Sequence, residues 1–239
     1  MRYLMLILAL AICSNSLSAQ EATTTTTQVT SNPVKQWTSN FTAIDVDAPI
    51  KLKLIKIGEN EAPYIIYDTK GSYTSKFTAE ADKSGTLKIR ERSEAKRETI
   101  TEVEVYFNKL SDIIISKADV SVEGVLDSPL LDIRVSNNAH FVADVNVLDL
   151  MISVTGKCCA VLNGEALYQT ADVSSAEYNA AGLQTISTVV SSSHGAFVKV
   201  DAKQRLEAKT STGGEIRYKS HPEIFRSEIP MFGGEIKML

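Results

Sequence analysis

The second half of this chain is one short pattern written about seven times. From residue 110 to 239, alternating apolar runs lead repeatedly into a small residue, any residue, then an apolar one. The cores are Ala118-Asp119-Val120, Ala139-His140-Phe141, Cys159-Ala160-Val161, Ala176-Glu177-Tyr178, Gly195-Ala196-Phe197, Gly214-Glu215-Ile216 and Gly234-Glu235-Ile236. Successive small residues lie 21, 20, 17, 19, 19 and 20 positions apart, a period of about 19. A fixed period of this order signals stacked units. A five-residue strand covers about 17 Å, so the period holds two or three short strands plus corners and leaves no room for a helix. The expected fold is all-β, a β-solenoid with coils of about 19 residues. Seven coils spaced about 4.8 Å apart would make a rod roughly 30 Å long. Ala, Gly or Cys would sit at a tight corner, and the apolar residue two positions on would point inward. The competing arrangement is an antiparallel sandwich with evenly spaced strands. Against coincidence stands the near identity of Gly213-Gly214-Glu215-Ile216 and Gly233-Gly234-Glu235-Ile236. His221-Pro222 between them marks a loop leaving the stack.

The region before the repeat is also strand-like. Phe41-Thr42-Ala43-Ile44-Asp45-Val46 and Ile50-Lys51-Leu52-Lys53-Leu54 alternate apolar and polar residues, the signature of half-buried strands. Tyr64 to Tyr67 and Val103 to Phe107 extend the series. Phe77 to Ala81, the turn Asp82-Lys83-Ser84-Gly85 and Leu87 to Arg90 read as a hairpin. This β-rich N-terminal region, 37–109, is expected to pack on the solenoid, 110–239.

The N-terminus reads as a targeting segment. Met1-Arg2, the apolar run Leu4 to Ile12 and the small, polar Ser14 to Ala19 fit a secretory signal peptide over 1–19, too short to span a membrane. Acylation of Cys13 is disfavoured because the residue before it, Ile12, is not small. Residues 20–36, with the run Thr23 to Thr27, are too polar to offset the entropy of ordering and read as a flexible tether. Past the signal only Cys158 and Cys159 remain, adjacent in sequence, so this is no disulfide-stapled scaffold and a packed core must hold the fold.

Chemistry-bearing residues do not cluster in the sequence. With 25 basic and 29 acidic residues there is no strong positive field, which argues against nucleic acid as a partner. His140, His194 and His221 lack partners at metal-ligand spacing. Ser191-Ser192-Ser193-His194 lacks the surroundings of a nucleophile elbow and reads as a corner rich in small hydrogen-bonding residues, with Ser136, Thr155, Ser174 and Ser211 at equivalent places. Asp112, Asp119, Asp127, Asp132, Asp144, Asp149 and Asp172 share no phase of the repeat and read as outward positions. Trp37, Tyr168, Phe225 and Phe232 are the aromatic residues available to a carbohydrate platform, with packing the alternative role for each. No catalytic, cofactor or metal residue is assigned, and no cofactor is expected.

The order and number of these motifs resemble the putative auto-transporter adhesin family built around the head GIN domain, common in Bacteroidetes envelopes. The resemblance is carried by Phe41 to Val46 with Ile50-Lys51-Leu52, by Gly85-Thr86-Leu87-Lys88-Ile89, by the serial repeats, and by the closing Leu206-Glu207-Ala208-Lys209-Thr210-Ser211-Thr212-Gly213-Gly214-Glu215-Ile216-Arg217-Tyr218. Ala118, Ala139 and Cys159 depart from it, standing where Gly or Ser-Gly is usual. The resemblance implies a right-handed parallel β-helix in an exported protein, and carries over no catalytic residue. The expected function is a non-enzymatic, adhesin-like or envelope-associated binding protein that meets a surface polysaccharide, an envelope protein or its own copy. The alternatives are a small polysaccharide-active lyase or hydrolase on the same scaffold, and a purely structural envelope component. Its place would be the periplasm, the outer surface or the medium, with no transmembrane segment after signal cleavage.

Overall fold

The structure, a computed structural model, describes residues 31–70, 76–92, 99–230 and 232–239. The signal read at 1–19 and most of the tether read at 20–36 lie outside the described residues. Among the described residues seven strands precede Leu110: β1 (Val34–Trp37), β2 (Ala43–Asp47), β3 (Lys51–Lys56), β4 (Tyr64–Asp68), β5 (Phe77–Ala81), β6 (Thr86–Glu91) and β7 (Glu102–Phe107). Then come β8 (Asp112–Ser116), β9 (Asp119–Ser136), β10 (His140–Thr155), β11 (Cys159–Ser174), β12 (Glu177–Ser193), β13 (Phe197–Thr210), β14 (Glu215–Tyr218), β15 (Ile224–Glu228) and β16 (Glu235–Met238). All belong to one continuous sheet that winds into a β-solenoid of about 7 turns, with coils of about 19 residues.

From β9 to β13 each long strand is a whole coil and pairs in parallel with the next. His140 lies between Asp119 and Cys159, and Leu150 between Leu131 and Gln169. Pairing between β9 and β10 shifts register after Val142 and passes over Leu148, dividing the coil into runs at 140–142, 144–147 and 149–155. Inward side chains alternate with outward ones along each run, as the pleat requires. Phe141, Ala143, Val145, Val147, Leu150, Ile152 and Val154 are buried, and the other residues from His140 to Thr155 are exposed or half-buried. Each such aliphatic side chain contributes about 1.5–3 kcal/mol of burial, and the columns run unbroken from coil to coil.

The third corner of each coil is made by residues in the left-handed region. These are Lys117, Asn137 with Asn138, Gly156 with Lys157, Ser175, His194 with Gly195, and Thr212 with Gly213. One or two such residues suffice at this corner, and register shifts between Val142 and Asp144, Val161 and Asn163, and Ala180 and Gln184 add further variation, so the period wanders around 19. Ser116, Ser136, Thr155, Ser174 and Ser193 stand in register just before these corners. Such a hydroxyl can bond across to the neighbouring coil, as Ser136 Oγ does to the Ile115 carbonyl at 3.3 Å.

The small residue after the corner is in place, with a shift of frame at two coils. The register aligns Asp119, His140, Cys159, Glu177, Phe197 and Glu215. The anchors are therefore Cys158 and Ala196, not the expected Cys159 and Gly195. Both are buried, and Cys158 Sγ accepts the Ala139 amide at 3.3 Å. In these coils Ala160 and Val198 are the core residues, while Val161 and Phe197 turn outward and are only half-buried. A one-residue slip exchanges faces, so identity of residue type alone was ambiguous where two small residues adjoin. Gly214 and Gly234 reflect close approach between coils. A Cβ on Gly214 would meet the Ser192 carbonyl oxygen at 2.3 Å.

The interior is not wholly apolar. In β11 to β13, Gln169, Thr185 and Thr188 replace aliphatic residues and are buried with Tyr178. Gln169 Nε2 donates to the Tyr178 hydroxyl at 2.5 Å, Thr188 Oγ1 to Gln169 Oε1 at 3.2 Å, and Thr185 Oγ1 to the Asp201 carbonyl at 3.0 Å. The chain of bonds satisfies groups that would otherwise cost about 1–3 kcal/mol each. Tyr178, fully buried, fits because its neighbour in the preceding coil is the small Ala160.

The strands before Leu110 join the same pile, in a different order. β2 lies between β6 and β8, and β3 between β7 and β9, all parallel. The outermost rung, β6 with β7, thus comes later in the chain than the rung beneath it. Antiparallel strands finish this end. β4 pairs with β7 and β1 with β4, while β5 forms the expected hairpin with β6. In its turn the Asp82 carboxylate accepts the Ser84 and Thr86 amides at 2.9 and 3.1 Å. β1 begins at Val34, inside the stretch expected to be tether. Asp68, 7% exposed, anchors it by accepting the Ser31 hydroxyl at 2.7 Å and the Asn32 amide at 3.4 Å. Burial works against the Asp68 charge, yet the bonds from Ser31, Lys70 and Asn32 outweigh it and hold the carboxyl down at about 2.

At the other end β13 pairs with β14 through its first run and with β15 through its last, and β16 pairs with β14. His221 and Pro222 lie on the connection from β14 to β15, where the middle run of the coil is missing.

Candidate functional site

The chemistry-bearing residues remain dispersed on the folded molecule. His140 opens β10, His194 is a left-handed corner residue and His221 is on the β14–β15 connection, all exposed. Among the described residues no three His, Cys, Asp or Glu side chains are grouped so as to hold a metal ion. In the Ser-His stretch, Ser191 donates to Asp172 at 2.5 Å, and buried Ser192 to the Ala196 carbonyl at 2.9 Å. His194 Nδ1 stands 3.2 Å from both Ser193 Oγ and Ser174 Oγ. This is a hydrogen-bonded corner. The seven aspartates all face outward, with local partners for several, such as Arg134 for Asp132 at 2.5 Å and Asn163 for Asp144 at 3.1 Å. Cys158 and Cys159 carry free thiols on opposite sides of the wall. Burial pushes both thiols up, and the Glu177 carboxylate adds to the effect at Cys159, so neither is an activated nucleophile.

What the fold does assemble is surface. Leu148 and Leu167 stand at the corner between the second and third runs, 54% and 43% exposed, with half-buried Ile186 next in line. Leu130 and Tyr168, 64% and 57% exposed, flank them on the third run. The result is an apolar ridge parallel to the solenoid axis, one side chain per coil. Beside it lies a shallow depression of 240 Å³ whose rim carries Asn146, Glu165, Gln184 and Lys203. Soluble monomers seldom leave such a contiguous apolar strip to water without a use for it. Its signal is present in the sequence, since Leu148, Leu167 and Ile186 are 19 residues apart, but the phase that turns them outward is set by the corner.

A second feature occupies the outer face of the first run. Cross-strand pairing sets Trp37 beside Tyr64 and Tyr64 beside Tyr106. Tyr64 and Tyr106 stack at 4.1 Å, Trp37 meets Tyr64 edge-on at 5.2 Å, and the Lys35 ammonium lies 3.7 Å from the Tyr64 ring centre. The Tyr106 hydroxyl donates to Glu104 at 2.8 Å, and that bond, with burial, raises it to about 12. Next to this ladder is an open depression of 430 Å³ floored by Leu52, Val103 and Val120 and edged by Lys51, Lys53, Glu102 and His140. Of the aromatic residues singled out from sequence, Trp37 and Tyr168 join these two features. Phe225 packs on Tyr218 at 5.1 Å and Phe232 is 81% exposed, both at the far end of the stack. Tyr64 and Tyr106 were hidden from sequence reading, because only the antiparallel register brings them to Trp37.

No helix among the described residues is long and apolar enough to cross a membrane. None of the curated proteins is significantly similar in sequence. Solved structures share the fold. A putative adhesin from Bacteroides fragilis superposes with a TM-score of 0.78 at 16% identity, over 88% of this chain and 97% of that one. A putative adhesin from Parabacteroides merdae gives 0.68 at 16% identity, over 87% and 96%. A putative lipid binding protein from Parabacteroides distasonis gives 0.66 at 17% identity, also over 87% and 96%. The family model described as "Putative auto-transporter adhesin, head GIN domain" matches residues 40–222, the span that holds the outermost rungs, the ridge and the corners alike, and the chain belongs to that family.

Proposed function

We propose that this protein is an exported, non-enzymatic, adhesin-like protein that works by surface contact. Its partner is a polysaccharide or protein of the cell envelope. The observation that carries this reading is the ridge of Leu148, Leu167 and Ile186 with Leu130 and Tyr168 beside it, an apolar strip that repeats once per coil. Repetition at the coil spacing, about 4.8 Å, suits an extended ligand, which gains area by lying along several coils. Polar groups edging the neighbouring depression would fix its orientation. Membership of a family of putative adhesins supports the same reading. Export rests on the signal read at residues 1–19, which would place the protein in the periplasm, on the outer surface or in the medium.

The test is a glycan array and an envelope-protein pull-down, run beside a panel of polysaccharide digestions with the exported chain and a Leu148→Asp/Leu167→Asp variant. Binding by the parent, lost in the variant without loss of fold, supports the proposal. Release of oligosaccharides that a single Asp substitution abolishes would establish the enzyme reading instead. No binding and no release would leave a structural envelope component.

A further inference from the structure

The two ends of the solenoid are finished differently, and the difference points to a partner. At the end beyond β13 the first-run sheet stops at β16 and the third-run sheet at β15, and among the described residues no strand pairs with their outer edges. Ile224, Phe225, Ile229, Phe232, Met238 and Leu239 are all exposed there. Bare strand edges beside apolar side chains are templates for another strand.

Charge selects which strand fits. In the parallel register of the stack, Glu235 lies beside Glu215 and Lys237 beside Arg217, like charge on like. The molecule relieves this with pairs along each strand, Arg217 to Glu215 at 2.6 Å and Lys237 to Glu235 at 2.7 Å. A head-to-tail copy would bring β1 onto β16 in parallel. Following the register through the sheet, Lys35 falls in the same column as Lys199, Arg217 and Lys237, so that contact would set Lys35 against Lys237. An antiparallel copy of β16, related by a two-fold axis at Ile236, reverses the sign. Glu235 then faces Lys237 of the other copy, and the same pair forms again by symmetry. Ile236 meets its own counterpart and continues the core, and Met238 falls opposite Gly234. Pairs of opposite charge directly across an antiparallel sheet are favourable, and like pairs are not.

We propose that this protein forms a closed, end-to-end dimer through antiparallel pairing of β16 with β16 of a second copy. A two-fold contact uses up the edge on both copies, so the assembly stops at two instead of growing into a filament. The proposal is independent of what the ridge binds.

Sedimentation equilibrium of the exported chain at micromolar concentration should give a dimer. Glu235→Lys and Lys237→Glu each place like charges across the two-fold and should weaken association on the order of tenfold or more. The double exchange restores opposite charges and should restore the dimer. Thermal unfolding in the monomeric range checks that each variant keeps its fold. As a second measurement, Ile236→Cys in a Cys159→Ser background should form an intermolecular disulfide on mild oxidation, because the two positions meet at the axis within bridging distance. A monomer at all these concentrations, a dimer indifferent to the charge exchanges, or failure of the cysteine at 236 to cross-link would overturn the proposal. So would a Lys35–Lys237 cross-link between copies, which would establish the head-to-tail contact.

Discussion

From β9 onward the coils stack in the order in which the chain is read; before Leu110 they do not. Each later coil finds its neighbour about 19 residues away, so one corner geometry, repeated, builds the wall. Ala43 instead pairs with Thr86 on one side and Asp112 on the other, and Lys51 with Glu102 and Asp119. The inner rung, β2 and β3, holds the outer rung to the rest of the sheet. A regular stack distributes its stability as a sum over neighbouring coils. An interleaved one concentrates it in the rung that everything else touches, after longer loops have been closed.

The sharpest way to break this contrast is to cut a cavity on each side of it. Leu54 is fully buried in β3, opposite Val105 and Val122, and Leu54→Ala should cost about 2–5 kcal/mol. Native-state hydrogen exchange should show β3, β6 and β7 losing protection together. Tyr178→Ala should cost a similar amount, about 3–5 kcal/mol, and leave Gln169 without its acceptor. Its effect should stay within β11 to β13. If Leu54→Ala loosened β3 alone, the outer rung would not depend on the inner one.

Smaller changes test the corner column. Gly214→Ala drives a Cβ into the Ser192 carbonyl and should cost about 1–3 kcal/mol in denaturant unfolding. The equivalent alanines, Ala118 and Ala139, are fully buried without such a restriction.

Acid tests the interleaved end. The Asp68 carboxyl is held below its ordinary value by the chain it clasps, so its contribution is fully present above about pH 4 and is lost as pH falls through about 2. With solvent screening, about 1 kcal/mol is at stake. Trp37, the one tryptophan in the chain, lies on β1 and reports the release. Its emission should shift between pH 4 and 2, and Asp68→Asn should abolish that step. The smallest effect belongs to Lys157→Gly. Relief of a left-handed lysine, about 1 kcal/mol or a little more, is nearly offset by the greater freedom of glycine in the unfolded chain. A gain of a few tenths of a kcal/mol in unfolding free energy is expected.

The repeat was legible because its cause is local. Alternation along each run, a hydroxyl residue, one or two left-handed residues and a small anchor all lie within one coil. The frame failed only at Cys158-Cys159 and Gly195-Ala196, where two small residues adjoin and inspection cannot say which is inward. The strands of the N-terminal region were equally visible, but nothing local tells β2 that its neighbours are β6 and β8. The ridge lay between these cases, its spacing readable from Leu148, Leu167 and Ile186 while its outward phase was not. The aromatic ladder was beyond reach, because Trp37, Tyr64 and Tyr106 meet only through two antiparallel registers.

The sequence by itself therefore determined the unit, a coil of about 19 residues with a small-residue corner and an apolar inner face, because period and alternation are properties of neighbouring residues. The tertiary structure alone decided the order of the outer rungs, the closing of one end by antiparallel strands and, among the described residues, the unpaired outer edges of β15 and β16 at the other. Those depend on which distant strands offer free amides and carbonyls in register, and backbone hydrogen bonding of that kind is nearly blind to side-chain identity.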